Sequence, residues 1–320
     1  MMGVRHINHD QANDERRILH LKNLVFVKSN YSLYLMLLPA VALTFIFSYL
    51  PMPGILVAFK DYDIFQGPFG SPWSGLKNVA RVFELPGVVQ SIWNTLTLSI
   101  YTLLITFPAP ILFALLLNEM RIMWFKRVVQ TISYLPYFLS WISVIGIAIN
   151  LYSLYGPIND LLIAIGGPGT ERTLFLANPD FFVPNVLILT VWKSLGWDSI
   201  IYLAAITSID PQLYEAAKID GAGKLKQALY ITMPGLLTTT MILLILRLGG
   251  LFGSNFELVY GLKNPFINYE VISTIVFKMG IQQADYSLAT AVGFLQGIVA
   301  LILTLMANKA SKLVSGTAIW

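Results

Sequence analysis

Four ionisable residues, Lys193, Asp198, Arg247 and Glu257, stand inside or at the edge of otherwise apolar stretches of this 320-residue sequence. A charge in hydrocarbon is expensive, so such residues face a cavity, a partner chain or one another. Lys193 and Asp198 either pair with each other, snorkel, or line a cavity. Arg247 has no acid one turn away in sequence and is expected to face protein or water. Around them lie groups that suit a sugar, which is held by aromatic faces and hydrogen-bonding side chains: Thr190, Ser194, Trp197, Ser254 and Asn255. Trp192 and Trp197 equally fit anchors at a membrane interface.

Other chemistries lack their residues. The chain has no cysteine, which removes disulfides and thiolate metal sites. His6, His9 and His20 all lie in the N-terminal tail and read as solvated residues rather than metal ligands. No nucleophile–base pair stands out, so the chain is not expected to be an enzyme. Nor does it carry a phosphate-cradling loop of the G-x-x-x-x-G-K-[ST] kind. Gly70 to Lys77 misplaces the lysine, and Gly223-Lys224 is followed by Leu225. No cofactor is expected here, and any ATP and magnesium must be bound by another chain.

The elements that position these residues are membrane helices. The sequence is 56% hydrophobic and 12% charged, against about 25% charged in a typical soluble domain. No Asp, Glu, Lys or Arg occurs between Lys28 and Lys60, Glu84 and Glu119, Arg127 and Asp160, Lys226 and Arg247, or Asp285 and Lys309. Each run reaches the roughly 20 residues a spanning helix needs. Strands of a membrane barrel would be about 10 residues with alternating polarity, which these are not. The fold class is therefore all-α, a polytopic membrane protein with spans at about 32–50, 92–118, 128–151, 183–207, 236–256 and 287–308. With both termini inside, cytoplasmic segments hold 13 Lys and Arg and outer segments 6, the bias that sets orientation. That bias accounts for the net charge of +4, so no nucleic-acid partner is implied.

Residues 1–30 read as a cytoplasmic tail leading into a surface helix, with no cleavable signal. Residues 31–320 read as one transmembrane domain. Pro39, Pro51 and Pro53 are expected to kink the first span or end it near Leu50. The Gly293–Gly297 spacing in the last span reads as helix packing.

Between the fourth and fifth spans lies a cytoplasmic segment, about 209–234. Asp210 is suited to N-cap a helix with Pro211 at its first position, and Gly221 to end it in the left-handed conformation. Leu213, Ala216 and Ala217 share a face by i, i+3, i+4 spacing. Two alanines leave that face shallow enough for another protein to approach closely. An ordinary surface helix would satisfy the same pattern.

Glu215-Ala216-Ala217, Asp220-Gly221-Ala222, Ile231 and Pro234 together resemble the EAA loop of ABC importer permeases, with eight fixed positions over 20 residues. Leu37-Leu38-Pro39, Phe47-Ser48-Tyr49-Leu50-Pro51, Ala58-Phe59-Lys60, Asn94-Thr95, Leu117-Asn118-Glu119, Tyr134-Leu135-Pro136 and Trp192 to Trp197 extend the resemblance. They point to carbohydrate permeases of the maltose-transporter type, within them the LplB-like polysaccharide permeases, over roughly residues 30–320. Two positions depart from the pattern: Met233 stands where leucine is usual, and Leu237 where a second proline often follows.

The resemblance implies a type I importer permease fold in the inner (plasma) membrane of a bacterium. Leu213, Glu215, Ala216, Ala217, Asp220, Gly221 and Ala222 would form the coupling helix that docks on an ATPase. Implied partners are a second, homologous permease subunit, two ATPase subunits and an extracytoplasmic sugar-binding protein that hands over an oligosaccharide. Thr190, Lys193, Ser194, Trp197, Arg247, Ser254 and Asn255 would line its path. Arg247 and Lys193 beside sugar-contacting groups would favour an acidic oligosaccharide, of the uronate or alginate kind. The alternative reading is an ion-gradient-driven carrier, which would show broken helices and midplane acids.

Overall fold

A computed structural model describes residues 30–167, 169–250 and 256–315. Ser254 and Asn255, the three histidines and the surface helix expected before residue 30 lie outside the described residues. The described residues form helices and no sheet strand, with one isolated antiparallel bridge between Lys60 and Trp73. Two compact units divide the chain, Met1–Leu56 and Val57–Trp320.

In the first unit, α1 (Tyr31–Thr44) passes into a π-helical turn, Phe45–Tyr49, and leaves the helix at Leu50 ahead of Pro51. No residue of α1 is buried. A helix that is apolar all round and uncovered by protein is made for lipid or a partner helix.

The second unit contains α2 (Lys77–Glu84), α3 (Pro86–Thr106), α4 (Pro108–Glu119), α5 (Met123–Tyr134), α6 (Trp141–Leu151) and α7 (Phe182–Thr207). There follow α8 (Pro211–Ile219), α9 (Leu237–Gly249), α10 (Phe256–Leu262), α11 (Ile272–Phe277) and α12 (Tyr286–Ser315). Helices α3 and α4 are nearly continuous, a run of 33 residues over Gly87–Glu119. Among the described residues, four helices are long and apolar enough to cross a membrane, and two bent pairs bring the number to six if each pair is one span.

Those bends break two of the expected spans. The stretch 128–151 is not one straight helix: Met123–Phe138 and Trp141–Leu151 meet at 108°. Pro136 tightens the end of α5 into a 3-10 turn, Leu139 and Ser140 are extended, and the Ser140 hydroxyl accepts from the Ser143 N–H at 3.2 Å to start α6. Similarly, Lys224–Gly235 and Leu237–Gly249 meet at 59°, next to Pro234 and a π-helical turn at Ala228–Thr232. The helix of the fifth span ends at Gly249, short of the expected residue 256.

Helix α7 is the centre of the unit and packs on α3, α4 and α5, while α9 lies on α12. Its ten buried residues include Gly196, where a Cβ would lie 2.1 Å from the Ser133 carbonyl oxygen of α5. Backbone contact that close admits only glycine. One apolar cluster joins α6, α7 and α10 around Val144, Val186 and Leu258, and another joins α2, α3, α11 and α12 around Val82, Val88 and Leu288. A third packs Ile111 and Ala114 of α4 on Tyr202 and Ile206 of α7.

The Asn94-Thr95 pair ties the end of α3 remote from Glu119 to the α11 entry. Asn94 donates to the Glu270 carbonyl at 2.8 Å, Tyr269 donates its hydroxyl to the Asn94 carbonyl at 3.1 Å, and the Ile272 N–H reaches the Thr95 hydroxyl at 2.8 Å. Burial pushes the Tyr269 phenol up to about 12, so it remains a donor at any physiological pH.

Candidate functional site

Helix α8 forms as its terminal residues dictate. The Asp210 carboxylate accepts from the Gln212 N–H at 2.9 Å, and Pro211 occupies the first turn. At the other end Gly221 adopts φ +75°. The Ala222 N–H reaches back to the Ala217 carbonyl at 2.8 Å, and the Gly221 N–H to that of Lys218 at 3.1 Å. This is the Schellman closure, which satisfies two orphan carbonyls.

The helix is held from beneath. Tyr214 and Thr232 hydroxyls are 2.9 Å apart, buried Gln227 donates to the Ala222 carbonyl at 2.7 Å, and Lys224 pairs with Glu119 at 2.8 Å. Through these bonds α8 is tied to the end of α4 and to the turn that opens the fifth span.

No residue of α8 is buried. Leu213, Glu215, Ala216 and Asp220 are exposed, as is Gly221, whereas Ala217 and Ala222 are half-buried. Ile219, 87% exposed, adds an apolar group that sequence reasoning missed. It stands three residues beyond Ala216, so helical spacing could have found it. The outcome is a short helix presenting apolar and charged side chains that no described residue covers. That geometry can transmit a push into α4 and the fifth span.

Within the membrane the structure separates residues that the sequence left open to pairing. Lys193 and Asp198 do not pair. The Lys193 ammonium donates to the carbonyls of Pro136, Tyr137 (2.7 Å) and Leu139, and lies over the rings of Tyr137 and Trp141 at 5.5 and 5.3 Å. These carbonyls belong to the helix break between α5 and α6, where the Pro136 carbonyl also accepts from the Leu139 N–H, and a cation is the natural cap for a helix C-terminus. Lys193→Met should therefore lower the stability of the solubilised protein by about 2 kcal/mol. Lys193→Arg should retain most of it, read as the midpoint of thermal unfolding. A Met variant melting with the wild type would mean that the break is satisfied by other donors.

Asp198 instead pairs with Arg247 at 3.0 Å, and Arg247 also donates to the Thr106 hydroxyl at 2.8 Å. Both side chains are less than a third exposed. This triad joins α3, α7 and α9 and, with Phe107, Tyr202 and Leu246, lines a cavity of about 290 Å³. Arg247 thus faces protein, as expected, and its acid comes from a neighbouring helix. Trp197 stacks on Tyr137 at 4.5 Å and 6°, with Phe138 edge-on at 5.5 Å.

The Thr190 hydroxyl is buried and bonds to the Val186 carbonyl of its own helix at 2.7 Å. The Ser194 hydroxyl is buried with no hydrogen-bond partner among the described residues. Glu257 lies exposed in the first turn of α10. The structure therefore brings together Lys193 with Trp197 through Tyr137, and Arg247 with Asp198, as two separate polar centres along α7.

Comparisons with known proteins bear on this arrangement. The family described as "Binding-protein-dependent transport system inner membrane component" matches residues 106–314. The polygalacturonan/rhamnogalacturonan transport system permease protein YteP of Bacillus subtilis (strain 168) is 45% identical over 88% of this chain and 87% of its own. Protein LplB of the same organism is 39% identical over 89% of this chain and 90% of its own. Among solved structures, a chain of a bacterial ABC transporter involved in the import of the acidic polysaccharide alginate superposes with a TM-score of 0.83. It is 38% identical and covers 92% of this chain and 99% of that one. The bacterial alginate ABC transporter in complex with an alginate pentasaccharide-bound periplasmic protein matches equally, with a TM-score of 0.83.

Proposed function

The chain belongs to the family of binding-protein-dependent transport system inner membrane components, and on that premise we propose that it is the membrane-spanning subunit of an ATP-driven importer of acidic oligosaccharides. The observation that carries the reading is α8, a helix capped at both ends, braced by Lys224–Glu119 and Tyr214–Thr232, and bare on its outer face. Leu213, Glu215, Ala216 and Ile219 dock in an ATPase groove, while Asp220, Gly221 and Ala222 hold the turn. Two ATPase subunits bind ATP and magnesium, and a second, homologous permease completes the pathway. An extracytoplasmic binding protein delivers the sugar. The coupling loop and both termini lie in the cytoplasm, in keeping with the distribution of lysine and arginine.

Support for an acidic sugar comes from two sides. Relatives are named for polygalacturonan and alginate. In this chain Arg247, two of whose nitrogens are engaged among the described residues, lines a cavity with Asp198 and Tyr202. An arginine has five N–H donors in a planar fork suited to a carboxylate. At the separate centre around Lys193, Trp197 of α7 and Tyr137 of the α5–α6 break supply stacked aromatic surface, and Lys193 braces Tyr137 rather than meeting the sugar as a free cation.

The decisive test is co-purification with the ATPase, comparing wild type with Glu215→Lys. Charge reversal on the docking face should weaken the complex at least about tenfold and abolish sugar-stimulated ATP hydrolysis. A wild-type chain that captures no ATPase would overturn the reading.

A further inference from the structure

We propose that Tyr260, backed by Phe256 and Phe277 and flanked by Gln282, is an outer oligosaccharide subsite that stacks on a pyranose ring and hydrogen-bonds its hydroxyls; the proposal rests on the importer reading. Phe256 and Tyr260 stack one turn apart on α10 at 5.5 Å and 19°, and Phe277 of α11 lies 5.4 and 5.2 Å from the two rings. This backing holds the Tyr260 ring still while 41% of the residue remains exposed. A fixed, open aromatic face loses little entropy when a ligand settles on it. The Gln282 amide donates to the Tyr260 hydroxyl at 3.3 Å. That contact leaves the phenolic proton and the amide oxygen free for sugar hydroxyls.

Gln282 is held by an unusual backbone. It closes a π-helical turn, Lys278–Gln282, in which the Gln283 N–H reaches the Lys278 carbonyl at 3.0 Å. Ala284 follows at φ +57°, the one non-glycine residue with positive φ among the described residues. The Asp285 N–H then bonds to the Met279 carbonyl at 2.9 Å, and the Asp285 carboxylate accepts from Leu288 at 3.0 Å and pairs with Arg81 at 3.6 Å. Such turns and left-handed residues persist where surrounding contacts over-determine them, and they cluster at functional sites.

The cluster faces water rather than hydrocarbon. Glu257, Lys278 and Gln283 beside it are exposed, an arrangement that lipid would penalise. Helix α9 leaves the coupling-loop end of the membrane and α12 returns to it, so residues 256–285 lie on the opposite side. A carboxylate and an ammonium flank the platform, so their charges balance and its chemistry is that of ring faces and hydroxyls. This chemistry is distinct from that of Arg247 and lies on a different element.

The test uses the assembled transporter with its ATPase and binding protein in vesicles. The chain has no cysteine, so Gln282→Cys supplies a unique thiol in it once partner cysteines are replaced. Its alkylation by an impermeant maleimide is followed with the binding protein empty or loaded with an oligouronate. We expect cargo to slow alkylation at least about threefold relative to the empty protein. Tyr260→Ala should reduce uptake about threefold to tenfold, and Tyr260→Phe less. Unchanged alkylation with cargo and unchanged uptake by Tyr260→Ala, in a preparation whose wild type transports, would overturn the subsite and leave the importer reading standing. Cross-linking of the thiol to the second permease regardless of cargo would overturn it as well. Failure of the wild type to take up any oligosaccharide would remove both.

Discussion

Replacing Gly196 by alanine is expected to prevent the transmembrane unit from reaching a stable fold. The added Cβ would lie 2.1 Å from the Ser133 carbonyl oxygen, 2.4 Å from its carbonyl carbon and 2.9 Å from the Tyr134 ring. Two of those three atoms are backbone of α5, so no rotamer change relieves the contact. The α5–α7 seam must open. Opening it also pulls the Lys193 ammonium, three residues earlier on α7, from the carbonyls of Tyr137 and Leu139. Overpacking costs about 1–3 kcal/mol in well-packed cores, and loss of the cap adds to that. We expect a fall of at least about 3 kcal/mol, measured as thermal unfolding of the solubilised chain together with its recovery from membranes. Gly293→Ala in α12 is the control, since nothing lies within 4 Å of a Cβ there, and it should be neutral. Equal melting of the two variants would show that α5 and α7 do not approach as closely as Ser133 and Gly196 require.

The second large effect is expected at the Arg247–Asp198 pair. Arg247→Ala leaves the Asp198 carboxylate without a partner at mid-span, and the Thr106 hydroxyl loses its donor. Removing one member of a buried pair costs about 3–5 kcal/mol. Both side chains retain some exposure, so about 3 kcal/mol is the expected loss. The double variant Arg247→Met with Asp198→Leu should recover most of it, because the penalty resides in the uncompensated charge.

Transport separates bracing from recognition. If Arg247 meets a carboxylate on the sugar, the double variant should fold and yet lose uronate uptake about tenfold relative to a neutral oligomer of equal length. Unchanged uptake of both oligomers would refute the role in selecting acidic cargo and leave the pair as a tie between α3, α7 and α9.

Helix α8 was legible because its signals are local. Asp210 and the turn at Gly221 fix its ends through hydrogen bonds to neighbours in sequence, each shown by the structure, and Pro211 presets the first turn. Exposure of Ile219 follows from the same 3.6-residue period once the helix is placed. The outer cluster around Tyr260 gave no such signal. Phe256 and Tyr260 share a helix, but Phe277 and Gln282 come from the next segment, across a loop whose path no spacing rule predicts.

By itself the sequence determined the solvent and the kind of element that spans it. Charge-free runs long enough to cross a bilayer, without the alternation of barrel strands, leave α-helical spans to satisfy the backbone. It also determined where α8 starts and stops. Only tertiary structure decided the partners of the membrane charges. Lys193 and Asp198 stand five residues apart on one helix and so point in different directions. One meets the carbonyls of the broken α5–α6 span, the other meets Arg247 of α9. The 108° break itself rests on Pro136, but its tolerance rests on a lysine 54 residues from Leu139. A sequence shows which groups need partners, whereas the partners are set by how helices separated along the chain come to lie side by side.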